Sequence, residues 1–273
     1  LLLGAMHDTA SDDKVLSADF SQFCEEGEVY IKVGSSRSTV FTISKAPYKN
    51  LLEDVKKSLY FFRCGSALHR DRAGKFGRKP CHIEPATFYD DRERTLDVSG
   101  GWHDAGDYSR CVVTGCVALG HLLYAYSLFP EVFGDKDGIS QSGRNCPLII
   151  EECLYELEWL LKMQAADGGV YHKVTVKEFS QTIMPDEEGE VFLSPVSSTA
   201  TGDFAAVMAI AYKAYLDTDK EFAEKCLEAS KKAWGYLEEH DVLVYKSIGA
   251  ITTGAYGDSK DIDERYYAAA ALL

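Results

Sequence analysis

The sequence predicts a mainly α protein, part of an α/α toroid that follows the closing strands of an all-β domain. Three observations predict it. Apolar residues alternate with period two between Lys14 and Lys45. After Pro47 the period changes to the 3.6-residue spacing of amphipathic helices. The helical segments are separated by loops of very unequal length, which excludes a solenoid built on a fixed repeat.

In the β segment, residues 1–45, the alternation is clearest in Val29-x-Ile31-x-Val33 and Phe41-x-Ile43, with Glu26-Gly27-Glu28 and Gly34-Ser35-Ser36 as turns. So short a segment gives too few strands to bury both faces of a sandwich, so it reads as the C-terminal part of a β domain that continues upstream. A boundary at Lys45 to Pro47 opens a second domain, residues 46–273. Its first helix carries Leu52, Val55, Leu59 and Phe62 on one face; further helices are expected from Cys111 to Phe129, Leu148 to Gln164, Asp203 to Leu216, Glu221 to Glu239 and Ile262 onward, with no strand between them. The two longest loops, Arg63 to Asp107 and Ala165 to Thr201, gather Gly, Pro, His and aromatic residues, and long ordered loops usually carry function. The chain opens Leu1-Leu2-Leu3-Gly4 and closes on an alanine-rich helical pattern at Leu273, so a fragment is expected.

The 273 residues hold 29 Lys and Arg against 43 Asp and Glu, a formal charge of −14. That balance, without a basic cluster, excludes a nucleic-acid groove or an anionic membrane surface. No apolar run reaches the roughly 18 residues needed to span a bilayer, and no membrane insertion is expected. Of eight cysteines, Cys111, Cys116, Cys153 and Cys226 fall in apolar helical patterns and read as core; a disulfide framework stays open for the others.

The densest chemistry lies in Asp97-Val98-Ser99-Gly100-Gly101-Trp102-His103-Asp104-Ala105-Gly106-Asp107-Tyr108. In a helical turn Asp104 and Asp107 point the same way and can reach one water, one taking its proton while the other orients it. The plainer reading is that Asp107 caps the following helix. A second constellation is Cys64, Cys81, His82 and His103, a Cys2His2 set suited to tetrahedral zinc but spaced more loosely than a zinc finger; its rival is a Cys64–Cys81 disulfide. A third is Asp258, Asp261, Asp263 and Glu264, oxygen ligands for calcium or acids that favour a helix N-terminus.

Ser99-Gly100-Gly101-Trp102-His103-Asp104-Ala105-Gly106-Asp107 closely resembles the signature of glycoside hydrolase family nine. Phe61-Phe62-Arg63-Cys64-Gly65, Gly168-Gly169-Val170-Tyr171-His172-Lys173-Val174 and Ser194-Pro195-Val196-Ser197-Ser198-Thr199-Ala200 are similar to the branch of that family with an N-terminal immunoglobulin-like domain. The resemblance runs from about residue 28 to the end. It implies an (α/α)6 toroid behind an immunoglobulin-like module, Asp107 as general base, Asp104 holding the attacking water, and structural zinc at the Cys2His2 set. It also implies possible calcium in the acidic loop, and a secreted or cell-surface enzyme. The general acid, a Glu near the toroid's C-terminal end, is expected beyond this chain, so the fragment alone is expected to be inactive. Sugar rings need flat faces and polar forks, which His172, Tyr171 and Trp102 offer as expected substrate contacts.

The function read from this is inverting hydrolysis of β-1,4-glucosidic bonds in a β-glucan polysaccharide or cello-oligosaccharide. The rival is a non-catalytic glycan-binding toroid. A toroid lyase, which needs a Tyr or His base and a charge-neutralising Arg, fits the signature less well.

Overall fold

The computed structural model describes residues 2–7, 14–133, 146–179 and 183–273. Leu1, where the expected β segment starts, and residues 180–182 of the second long loop lie outside them. The chain divides into two compact units, residues 1–55 and 56–273.

The first unit is built of antiparallel ribbons, as period two predicts. β1 (Leu2–His7) pairs with β2 (Lys14–Asp19), β3 (Gly27–Val29) with β6 (Phe41–Ile43), and β4 (Lys32–Val33) with β5 (Ser36–Arg37). Gly34, at φ 59, makes the turn between β4 and β5 that the sequence predicts. The turn expected at Glu26-Gly27-Glu28 is instead mostly strand, because Gly27 and Glu28 pair with Ile43 and Thr42 across the ribbon. Val33 and Val40 stay exposed here, as two-stranded ribbons cannot cover both faces.

α1 (Lys49–Phe62) follows. The second unit continues with the single turn α2 (Arg70–Ala73), α3 (Val112–Leu128), the short α4 (Pro130–Phe133), α5 (Leu148–Lys162), α6 (Ser198–Tyr215), α7 (Lys220–Glu239) and α8 (Ile262–Leu272). α6 is the hub, packing against α3, α7 and α8. Its run of small residues, Ala200, Gly202, Ala205, Ala206, Ala209 and Ala211, is buried and lets the neighbouring helices close in; a Cβ on Gly202 would sit 2.7 Å from that of Glu264. The helix starts five residues before the expected Asp203, because Ser197 Oγ accepts from the Ala200 amide at 3.2 Å and caps a Ser/Thr-rich first turn that carries no apolar periodicity. Asp219 caps α7 in the same way.

Strands also lie between the helices, where none was expected: β7 (Ala86–Phe88), β8 (Thr95–Leu96), β9 (Arg110–Cys111), β10 (Val170–Tyr171), β11 (Lys173–Thr175), β12 (Phe192–Leu193) and β13 (Val196–Ser197). At two or three residues each they are too short to show a period, and some partners are remote, as in Phe192 opposite Thr87. Five of them form one sheet in the order β8-β7-β12-β11-β9, which binds the two long loops to each other.

Candidate active site and metal-ligand cluster

The signature segment is held from both sides. Gly101, at φ 80, passes so close to Trp159 that a Cβ would meet its ring at 2.6 Å, so only glycine fits. The amide of Trp102 donates to Glu156 Oε2 at 2.6 Å and its indole Nε1 to Glu152 Oε1 at 3.1 Å. Glu152 in turn accepts two bonds from the Arg63 guanidinium, at 2.8 and 2.7 Å. Burial pushes the Glu156 carboxyl up to about 8, so it stays protonated at neutral pH. Arg110, fully buried, donates to the carbonyls of Val98 and Gly100. None of these supports carried a sequence signal, because each depends on a helix or strand that the fold brings up from elsewhere in the chain.

Asp104 and Asp107 do not lie in a helical turn. The Tyr108 amide donates to the Ala105 carbonyl at 3.1 Å and Tyr108 takes φ 54, which closes a reverse turn between the two acids. Asp107 does not cap α3, whose N-cap is Cys111; its carboxylate accepts from Ser109 Oγ at 3.1 Å, and it is buried. Both carboxylate oxygens of Asp104 are shielded and make no full hydrogen bond among the described residues, the Cys111 thiol and the Tyr256 hydroxyl being the donors that face them. Burial raises the Asp104 carboxyl above its usual range, and the charge of Asp107 adds to that. A shielded carboxylate without a full hydrogen bond is uncommon, since buried polar groups are nearly always paired.

Cys64, Cys81, His82 and His103 converge, their ligand atoms all within 4.8 Å of one another. Cys64 Sγ lies 3.3 Å from His82 Nδ1 and 3.9 Å from Cys81 Sγ, and Cys81 Sγ lies 3.7 Å from His103 Nε2. Zinc–sulfur and zinc–nitrogen bonds imply tetrahedron edges of roughly 3.3–3.8 Å, so the set fits one tetrahedral ion. His82 Nε2, on the side away from the cluster, meets Glu188 Oε2 at 2.9 Å, the carboxylate–imidazole pairing that orients a metal-bound histidine. Hydrogen bonding from Cys64, against the cost of burial, holds the Cys81 thiol far below its usual range, as a thiolate ligand requires. The cysteines of the described residues are free, so the Cys64–Cys81 disulfide does not form.

The other expected site residues fare differently. His172 has no exposed surface; Nε2 donates to the Ala255 carbonyl at 2.9 Å, Nδ1 accepts from Ser197 Oγ at 2.8 Å, and the ring stacks on Tyr245. It has nothing left to offer a sugar. Trp102 is likewise buried, with its indole nitrogen committed to Glu152. Both are supports rather than substrate contacts in this arrangement. Tyr171 keeps partial exposure, its ring edge-on to Phe88. In the acidic loop, Asp261 is buried and paired with Arg265 Nε at 2.9 Å, Asp258 accepts from the Lys260 amide, and Asp263 is exposed. Glu264 Oε2 is buried and meets no donor among the described residues. These four acids do not gather as the Cys2His2 set does.

The chain is 40% identical over 277 residues to a cellodextrinase of Butyrivibrio fibrisolvens, covering 97% of this chain and 49% of that protein. It is 33% identical to endoglucanase D of Acetivibrio thermocellus, covering 98% of this chain and 44% of that one. Among solved structures, a Zn-binding triple mutant of the family 9 endoglucanase J30 superposes with a TM-score of 0.92 at 33% identity, over 99% of this chain and 53% of that one. The chain thus spans about half the length of the relatives it matches. Residues 48–273 match Glycosyl hydrolase family 9, and the chain belongs to that family.

Proposed function

We propose that this chain supplies the base side of a β-1,4-glucan hydrolase that works by inversion. One observation carries the reading: the buried Asp107 is held by Ser109 close beside Asp104, whose two shielded oxygens make no full hydrogen bond among the described residues. In a single displacement one carboxylate takes a proton from a water that attacks the anomeric carbon, and an acid on the far side, roughly 6.5–9.5 Å away, protonates the leaving oxygen. Asp107 is assigned as the base, held by Ser109; Asp104 is assigned to hold the water. The acid is assigned to none of the Glu residues described here. The substrates proposed are β-glucan chains or cello-oligosaccharides, and the enzyme is proposed to act outside the cell.

We also assign zinc to Cys64, Cys81, His82 and His103. Four protein ligands leave no position open for water, so zinc would brace the loop between α1 and the Asp104–Asp107 turn and take no part in the chemistry. Calcium at Asp258, Asp261, Asp263 and Glu264 rests on the unpartnered Glu264 oxygen alone. Residues 1–45 are proposed as the end of an immunoglobulin-like domain and residues 46–273 as the N-terminal half of an (α/α)6 catalytic domain.

The test is the rate on cello-oligosaccharides of the active enzyme containing this chain. Asp107→Asn is expected to lower kcat by about 10²-fold or more, the range of a lost general base, with KM little changed. Full activity in that variant would remove the base assignment, whereas glycan binding without hydrolysis by the wild type would favour the glycan-binding alternative.

A further inference from the structure

The segment Gly168 to Val174 leaves one side chain without an assigned role, Lys173. It has no exposed surface. Its ammonium donates to Thr253 Oγ1 at 3.0 Å and to the Gly254 carbonyl at 2.6 Å. Thr253 Oγ1 lies 2.7 Å from Thr175 Oγ1, which lies 2.8 Å from Ser109 Oγ, which lies 3.1 Å from Asp107 Oδ2. Thr253, Thr175 and Ser109 are all buried. Lys173 and Thr175, two apart on β11, share one face of that strand, and β11 pairs with β9 just past Ser109.

The direction of this chain follows from its ends. An ammonium only donates and a carboxylate only accepts. With Lys173 donating into Thr253 and Asp107 accepting from Ser109, the hydroxyls connect in the direction Thr253 to Thr175 to Ser109 to Asp107, the Thr175 O–H being shared between Ser109 Oγ and the Val176 carbonyl at 3.1 Å. Each bond in such a buried chain polarises the next.

We propose that Lys173 is a positioning residue for Asp107, acting through Thr253, Thr175 and Ser109. The chain fixes the Ser109 hydroxyl as a donor to Oδ2, so Asp107 is held in one rotamer and presents its remaining lone pairs to the water it deprotonates. The proposal rests on the assignment of Asp107 as base. It also gives the crossing segment around Thr253 a part in the site, though it lies 146 positions after Asp107 in the sequence.

Two measurements test it. In this chain labelled with 13C-aspartate, the Asp107 carboxyl resonance is expected to move in Thr253→Val, which is isosteric but breaks the chain, and to return in Thr253→Ser. An unmoved resonance in a folded Thr253→Val protein would overturn the proposal. In the active enzyme, Thr253→Val is expected to lower kcat roughly tenfold with KM unchanged, Thr253→Ser to restore it, and Thr253→Val to add nothing in an Asp107→Asn background. An effect that persists beside Asp107→Asn, or that Thr253→Ser fails to rescue, would show a role separate from Asp107 and overturn the proposal. If Asp107→Asn itself keeps full activity, the base assignment fails instead, and the carboxyl resonance still decides whether the chain exists.

Discussion

His172 shows how a residue of the right chemical type can be spent on structure. Its sequence context, a Tyr-His pair after two glycines, offers a sugar-binding fork, but whether both nitrogens are already occupied depends on Ser197 and Ala255, and the latter is 83 positions away. Burial lowers its pKa to about 4, so the folded protein keeps it neutral where the unfolded chain takes a proton. The stability it contributes is complete above about pH 6.5 and is lost as pH falls from there through about 4, a swing of roughly 3 kcal/mol at 1.36 kcal/mol per pH unit. Urea midpoints at pH 7 and pH 4.5 are therefore expected to fall further in wild type than in His172→Gln. Equal slopes would contradict the buried neutral ring. The Asp104–Asp107 pair stood out because two acids, three glycines and a tryptophan crowd into one short segment; Ser109, which donates to Asp107, did not, since serine two residues after an aspartate is common everywhere.

At the scale of elements, the long helices were legible from apolar spacing, and the start of α6 was not, because a cap and a Ser/Thr-rich turn carry no period. The short strands escaped for a related reason: two or three residues show no period, and partners such as Phe192 and Thr87 lie far apart in the chain. The Cys2His2 set was read from the sequence as one zinc site, whereas Glu188, which orients His82 from another loop, carried no signal. Elemental analysis of the purified chain is expected to find about one zinc per chain, lost in His103→Ala; reduced, untagged protein without metal would contradict the assignment. α5 holds the site through Glu152 and Glu156, and the Arg63–Glu152 pair is nearly buried where Arg92–Glu190 is about half exposed. Arg63→Ala, which strands a buried carboxylate, is expected to cost about 3–5 kcal/mol, and Arg92→Ala less than about 1 kcal/mol. Chemical denaturation compares the two, and similar small losses would mean that Arg63 does not pin the signature loop.

For the whole molecule, fold class and family followed from the change of period at Pro47 and from one nine-residue signature. What stayed hidden is the way distant segments meet at Asp107: β9 and β11 share a sheet, and the loop before α8 crosses them to bring in Thr253. The −14 charge also fits the proposed substrate, since a neutral sugar chain needs no basic groove, and Arg63, Arg110 and Lys173 are buried or part-buried cations around the signature segment. The central claim is that Asp107 activates a water for attack from the face opposite the leaving group. It is tested most directly by following the anomeric proton signals during hydrolysis of a cello-oligosaccharide by the active enzyme. The account predicts that the α-anomer of the product appears first and mutarotates later, and that this signal is lost in Asp107→Asn; early β-anomer, or α-anomer formed at full rate without Asp107, would contradict it.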